Sequence, residues 1–219
     1  MNLRTGFFLA GIALLPAAGH AAGIVVRGGT TGLGGDVGVE LVPTLNGRIG
    51  YSALGFNHNF DSNNVRYDGK VKLSNLSGLL DWHPLGPFRL TGGVIFNDNR
   101  VDVNGQPAAN GTYTFNGNTY QSSDASVNGT VRAGRRAAPY LGVGYGNIAG
   151  AGVNFFFDLG IMFQGSPKVA LNANCSPSLS AAQCSQLQSD TAEEARRLED
   201  KFNRYKYFPV ANIGVTIGF

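Results

Sequence analysis

Apolar residues recur at every second position through most of the chain. From Val153, one face reads Val153, Phe155, Phe157, Leu159, Ile161 and Phe163, and the other reads Asn154, Phe156, Asp158, Gly160, Met162 and Gln164. That period predicts a strand with two unlike faces. The C-terminal stretch repeats it: Ala211, Ile213, Val215, Ile217 and Phe219 alternate with Asn212, Gly214, Thr216 and Gly218. Further strands are predicted over Gly23–Val42, around Arg48–Ala53, over Val65–Trp82 and Phe88–Phe96, weakly over Val127–Arg132, over Tyr140–Gly146 and over Lys168–Ala173. The alternation falters at Leu54-Gly55, which predicts a bulge. Pro43-Thr44-Leu45-Asn46, His83-Pro84-Leu85-Gly86-Pro87, Ala133 to Ala138 and Gln164-Gly165-Ser166-Pro167 read as turns. Trp82 and Phe88 sit at the lips of the second turn.

Two segments break the period. Residues 104–126 are polar and rich in Asn and Gly, and Asn116-Gly117 inside Tyr113–Tyr120 predicts a small hairpin in a long loop. In 178–206 the apolar spacing changes to three and four, through Leu187, Thr191, Glu194/Ala195, Leu198, Phe202 and Tyr205. This predicts an amphipathic helix of roughly 20 residues with Ser180 as its cap. Its mixed charges favour a lid packed on its own barrel over a membrane-surface helix.

Composition narrows what such a sheet can be. Only 14% of residues are charged, with 32 Gly, 14 Phe and 8 Tyr, against about 25% charged in ordinary soluble domains. Seventeen basic against 14 acidic residues, net +3, and no basic stripe make no case for nucleic acid. Residues 1–21 read as an export signal: Arg4, an apolar core from Gly6 to Leu15, Pro16, and a cleavage site after Ala21. The mature domain is then 22–219. No run reaches the ~20 apolar residues of a membrane-spanning helix, so a span would have to be made of closed strands. In an exported chain, Cys175 and Cys184 predict a disulfide, and no histidine lies near them to suggest a metal pair.

The polar faces carry the candidate chemistry. Asp36, Glu40, Arg48, Arg66, Asp68, Lys70, Lys72, Arg89 and Asp158 are assigned to the interior of a closed sheet. Unpaired charge cannot sit in a dry core, so they are expected to pair and plug the lumen, with a narrow conducting path as the competing reading. His58 with Asp61 and Ser62 is the one grouping that could be pressed into lipid chemistry. No Gly-x-Ser-x-Gly elbow and no metal-spaced histidines occur, so no catalytic residue, metal or cofactor is assigned.

The leader, the repeated alternation and the terminal phenylalanine resemble small Gram-negative outer-membrane barrels of the outer-membrane protein A and W type. Leu79–Leu90, with its His-Pro-Leu-Gly-Pro turn, and Ala138-Pro-Tyr-Leu-Gly-Val-Gly-Tyr-Gly146 carry the resemblance, which spans most of the mature chain. Asn212, Gly214, Ile217 and Phe219 have the spacing of the C-terminal insertion signal read by the barrel-assembly machinery. The resemblance implies a closed antiparallel transmembrane β-barrel in the outer membrane, embedded in its lipid as a monomer, with no nucleic-acid partner. It favours eight strands, and ten follow if 24–42 is two strands. The 104–126 loop and the 175–206 disulfide-and-helix insert depart from the better-known members. With Phe219 on the periplasmic side, counting back places the helix and the 104–126 loop outside and the turns at Pro43 and His83 inside. The same count puts Asn147 outside and the turns at Arg135 and Gln164 inside.

Overall fold

The computed structural model describes residues 21–62, 65–106 and 111–219. The leader read at 1–21 lies outside them except for Ala21. The strands are β1 (Ala22–Gly29), β2 (Gly32–Val42), β3 (Leu45–Ser62), β4 (Val65–Leu85), β5 (Phe88–Asn97), β6 (Arg100–Gln106), β7 (Thr112–Phe115), β8 (Asn118–Gln121), β9 (Ala125–Arg132), β10 (Ala137–Tyr145), β11 (Gly152–Met162), β12 (Lys168–Cys175) and β13 (Phe208–Gly218). Helix α1 spans Ala181–Phe202 between β12 and β13. No described helix is long and apolar enough to cross a membrane.

Eight antiparallel strands close a ring in the order β1-β2-β3-β4-β5-β10-β11-β13, and β13 returns to β1. Closure leaves no sheet edge along the shaft. At one end lie Ala22, Phe219 and the connections 43–44, 86–87 and 146–151; we call this the turn end. The long connections lie at the other, the loop end.

Strand number resolves in a way the alternation alone could not show. Residues 22–42 are indeed two strands, joined at Thr30-Thr31. The ring still has eight, because β9 and β12 are not part of it. They pair with each other and, through β6, with the upper half of β4. Counting them as spans reverses the direction assigned to their neighbours. Arg135 and Gln164 therefore lie at the loop end and Asn147 at the turn end, opposite to the sequence expectation. The bulge expected at Leu54-Gly55 is also absent: β3 and β4 pair in continuous register from Leu45↔Trp82 to Ser62↔Val65. The irregularities fall at the turn end, between Glu40 and Val42 and between Trp82 and Leu85.

The upper parts of β3 and β4 overshoot the ring and, with β6, β9 and β12, form a protruding sheet. Its inner face carries Val65, Ala125, Val127 and Ala173. The β7–β8 hairpin (Tyr113, Phe115) and α1 (Leu187) pack on that face. The hairpin turn forms at Asn116-Gly117 because both residues adopt positive φ, 51° and 82°, which Asn and Gly tolerate. Ser180 and Gln183 form a capping box at the start of α1. A disulfide joins Cys175, at the end of β12, to Cys184 in the first turn of α1.

The disulfide lies wholly in this lobe. Replacing both cysteines, Cys175→Ser with Cys184→Ser, is expected to leave the ring's unfolding transition in place. It should loosen α1 by about 2–3 kcal/mol on chain-entropy reasoning. Hydrogen exchange across 181–202 reads the change, and unchanged protection would mean that packing alone holds the helix.

Candidate functional site

Alternation turns one side of each ring strand inward, and the inward side carries the charges. Arg27 (β1), Asp36 (β2), Arg48 (β3), Asp81 (β4), Arg89 (β5) and Asp158 (β11) are all buried. Arg48 is the hub. Its guanidinium lies 3.1 Å from Asp36, 2.8 Å from Asp81 and 2.9 Å from Asp158. Arg27 donates to both Asp36 oxygens at 2.9 and 3.0 Å. Arg89 reaches Asp158 at 3.0 Å and Asp81 at 3.4 Å, and donates to the carbonyls of Gly146 and Phe157. Thr91 donates to Asp81 at 2.6 Å. Three cations face three anions, so the cluster is neutral, and each arginine meets at least one carboxylate.

Room for these groups comes from small residues on neighbouring strands. A methyl on Gly50 would overlap the Asp36 carboxylate, and one on Gly144 would sit 2.7 Å from the Arg89 guanidinium carbon. The Phe156 ring lies beneath both arginines, 4.3 Å from the Arg89 guanidinium carbon and 5.2 Å from that of Arg48, where its face adds a cation–π contact.

Buried side chains flank the network on both sides, with polar Thr31, Ser52, Asn75, Ser77 and Asn212 beside the apolar ones at the loop end. Toward the loop end lie Leu79, Ile95, Tyr140, Met162 and Val210. Toward the turn end lie Val25, Phe156 and Ile148. Ile148 belongs to the 146–151 connection, which folds into the lumen against Gly38 and is tied by Asn46 donating to Asn147 at 2.7 Å. A cavity of ≈ 10 Å³ remains beside Arg48 and Tyr140, room for about one water.

Of the residues assigned to the interior from sequence, Asp36, Arg48, Arg89 and Asp158 meet in this cluster. Glu40 lies at the turn end of β2, half-buried and outside it. Arg66, Asp68, Lys70 and Lys72 lie on the overshooting part of β4, paired to β6 beyond the ring, so they do not line the lumen. The alternation places them on one face, but the face runs past the end of the barrel. Arg27 and Asp81 escaped the sequence reading, although each shares parity with inward neighbours, Val25 and Leu79.

Asn212 turns inward and accepts from Thr31 at 2.9 Å. Gly214 packs on the β1 backbone, and Ile217 and Phe219 are exposed. His58 is exposed on the overshoot of β3, and the side chains of Asp61 and Ser62 lie outside the described residues. His83 is buried at the turn end, far along the strands from His58. No grouping of metal-ligating side chains occurs among the described residues.

A second polar centre holds the lobe. Asp190 of α1 is buried and accepts from Tyr120 at 2.5 Å, Asn118 at 2.7 Å, Gln186 at 3.1 Å and Asn116 at 3.2 Å. The Tyr120 hydrogen bond, then that of Asn118, holds the carboxyl at about 2, below its usual 3.8. Burial, then the Asp190 bond, pushes the Tyr120 phenol up to about 12.

Two outcomes follow from these clusters. Arg48→Ala leaves three buried aspartates short of a partner and is expected to destabilise the barrel by about 3–5 kcal/mol in denaturant titration; a loss below ~1 kcal/mol would mean that water solvates the cluster. In the lobe, the depressed Asp190 value contributes stability above pH 3.8 that is lost as pH falls toward 2, and the raised Tyr120 value contributes stability below pH 10 that is lost as pH rises toward 12. An NMR titration should place the Asp190 midpoint near 2, and Tyr120→Phe should move it upward; a midpoint at 3.8 in the unaltered chain contradicts the hydrogen-bonded geometry.

Two solved structures share this architecture. Acinetobacter baumannii CarO2 superposes with a TM-score of 0.59 at 21% identity, covering 91% of this chain and 98% of that one. Acinetobacter baumannii CarO gives 0.58 at 23% identity, covering 90% and 97%. No family model and no curated protein matches the chain. At these identities the likeness is one of fold alone.

Proposed function

We propose that the chain is an integral outer-membrane β-barrel of structural or interaction type, with its lumen closed and its loop-end lobe presented outside the cell. The outward face of the ring supports the membrane placement. It exposes Val26, Ile49, Leu80, Leu90, Leu141, Phe155 and Ile213 and carries no charged residue among those described. Large exposed apolar area of this kind marks contact with something other than water.

Aromatic residues edge that belt. Trp82, Phe88, Tyr145 and Phe219 lie near the turn end, and Tyr51, Phe96 and Tyr207 near the loop end, all exposed. Phe88 packs edge-on against Tyr145 at 5.3 Å. From Phe88 to Phe96 is about 27 Å of strand, or roughly 21 Å of height at a ~40° tilt, close to the ~25 Å apolar band of outer-membrane barrels. The short turns and both ends of the described chain share one side, as in bacterial barrels whose turns face the periplasm. The leader and the Asn212–Phe219 signal suit export and recognition by the assembly machinery. The fold shared with CarO and CarO2 is consistent with this reading.

The observation that carries the functional half is the neutral Arg–Asp cluster, buried between tightly packed side chains above and below it. Such a lumen offers no continuous aqueous path. The same reading has no catalytic step and no cofactor. The barrel in detergent is expected to show heat-modifiable gel mobility, and its absence would remove the membrane placement. In planar bilayers the protein should give no conductance steps. Reproducible steps of fixed size would overturn the closed lumen in favour of a narrow solute channel.

A further inference from the structure

The sheet beyond the ring carries a row of like charges. Lys72 of β4 is registered against Arg100 of β6, Arg100 against Arg132 of β9, and Arg132 against Lys168 of β12. Registered partners share a sheet face, so four cations stand side by side on four neighbouring strands, ~4.8 Å apart strand to strand. Lys70, two residues above Lys72, lies on the same face. Like charges directly opposite one another destabilise a sheet. Two of the four have a carboxylate: Arg100 meets Asp102 at 3.1 Å and Lys168 meets Glu199 at 3.3 Å. Among the described residues, no carboxylate lies within ion-pair distance of Lys72 or Arg132. At the foot of the row an open cleft of ≈ 370 Å³ adds Arg136 beside Arg132, facing Asn97, Asp98 and Asn99. Asp98 is the one carboxylate in that lining.

The position of the row follows from strand parity. Trp82, Leu80 and Leu76 are the outward, apolar positions of β4, and Lys72 and Lys70 continue the same parity upward. The cationic face is therefore the upward continuation of the outward belt, while the lobe packs on the opposite face. Lys72 stands about 13 Å of strand above Leu76, roughly 10 Å in height at a ~40° tilt. In a membrane whose apolar core ends near Phe96 and Leu76, that is the level of the headgroups.

We propose that this row, Lys72, Arg100, Arg132 and Lys168 with the Arg132–Arg136 cleft, is a binding site for the phosphate groups of an acylated glycolipid in the outer leaflet. The inference rests on the membrane placement above. Phosphate monoesters suit the site, since their anionic oxygens accept charge-assisted hydrogen bonds from arginine and lysine. The acyl chains of the same molecule lie down the apolar face directly below. Soluble phosphate would satisfy the cations but not that adjoining face.

The test uses the full mature barrel in detergent. The probes are a bisphosphorylated acyl-glucosamine disaccharide, the same lipid dephosphorylated, and inorganic pyrophosphate. The phosphorylated lipid should bind at least about tenfold tighter than the dephosphorylated one and weaken with salt. A combined Lys72→Gln, Arg100→Gln, Arg132→Gln, Lys168→Gln variant should lose that preference, and Arg132→Lys should keep most of it. The glutamine variant should also melt at a higher temperature than the unaltered barrel when no anion is present, because the repulsion is gone. Equal binding of the two lipids, or an undiminished preference in the glutamine variant, overturns the proposal. So does pyrophosphate binding as tightly as the lipid, which would make the site one for soluble anions. Heat-modifiable mobility is read on every sample: if it holds, a negative result counts against the lipid site alone, and if it fails, the membrane placement fails and the lipid site with it.

Discussion

The interior of this barrel depends on one guanidinium. Arg48 sits among Asp36, Asp81 and Asp158 with almost no solvent contact, and none of the four could be charged there alone. Buried ions are costly unless paired and hydrogen-bonded. The pairing joins strands distant along the chain: β2, β3, β4 and β11 directly, and β1 and β5 through Arg27 and Arg89. The ring must close in one register for all six groups to meet. Gly50 and Gly144 follow from the same constraint, because a side chain at either would run into the Asp36 carboxylate or the Arg89 guanidinium.

Closure of the lumen is layered. The ion cluster lies between the Tyr140–Met162 layer above and the Phe156–Ile148 layer below. Ile148 arrives on a connection that dips back into the barrel, so the turn end is sealed by chain as well as by side chains. The structural or interaction role proposed above rests on this layering.

The lobe is built from overshoot. β3 and β4 are long enough to leave the ring, and above Asn75 the partner of β4 changes from β5 to β6. β3 and β4 thus serve both the ring and the protruding sheet, and the pairing branches at β4. The inward parity of β4 becomes the apolar floor on which the β7–β8 hairpin and α1 pack, with Asp190 tying hairpin to helix. Its outward parity passes from the apolar belt to the cationic row without a break.

Local chemistry made much of this legible. The two-residue period set strand faces, Asn116-Gly117 set a hairpin, Ser180 set a helix start, and Cys175 with Cys184 set a crosslink. Each depends on residues near in sequence, and each is present in the fold. Alternation also separated inward Arg48, Asp36, Arg89 and Asp158 from the outward apolar belt. Pairing was not legible. Period two says which face a residue is on, not which strand lies beside it or how far along the barrel it sits. Hence β9 and β12 read as barrel strands, Asn147 was assigned to the wrong end, and Lys70 and Lys72 read as lumen residues though they stand beyond the ring. Period, strand faces and turns could be read locally, because these are properties of neighbouring residues. The favoured count of eight holds, but which eight strands close, that Arg27 and Asp81 complete the ion cluster, and that four cations line up across β4, β6, β9 and β12 emerge only in the fold, because strand partnership is a long-range choice made by the closing of the ring.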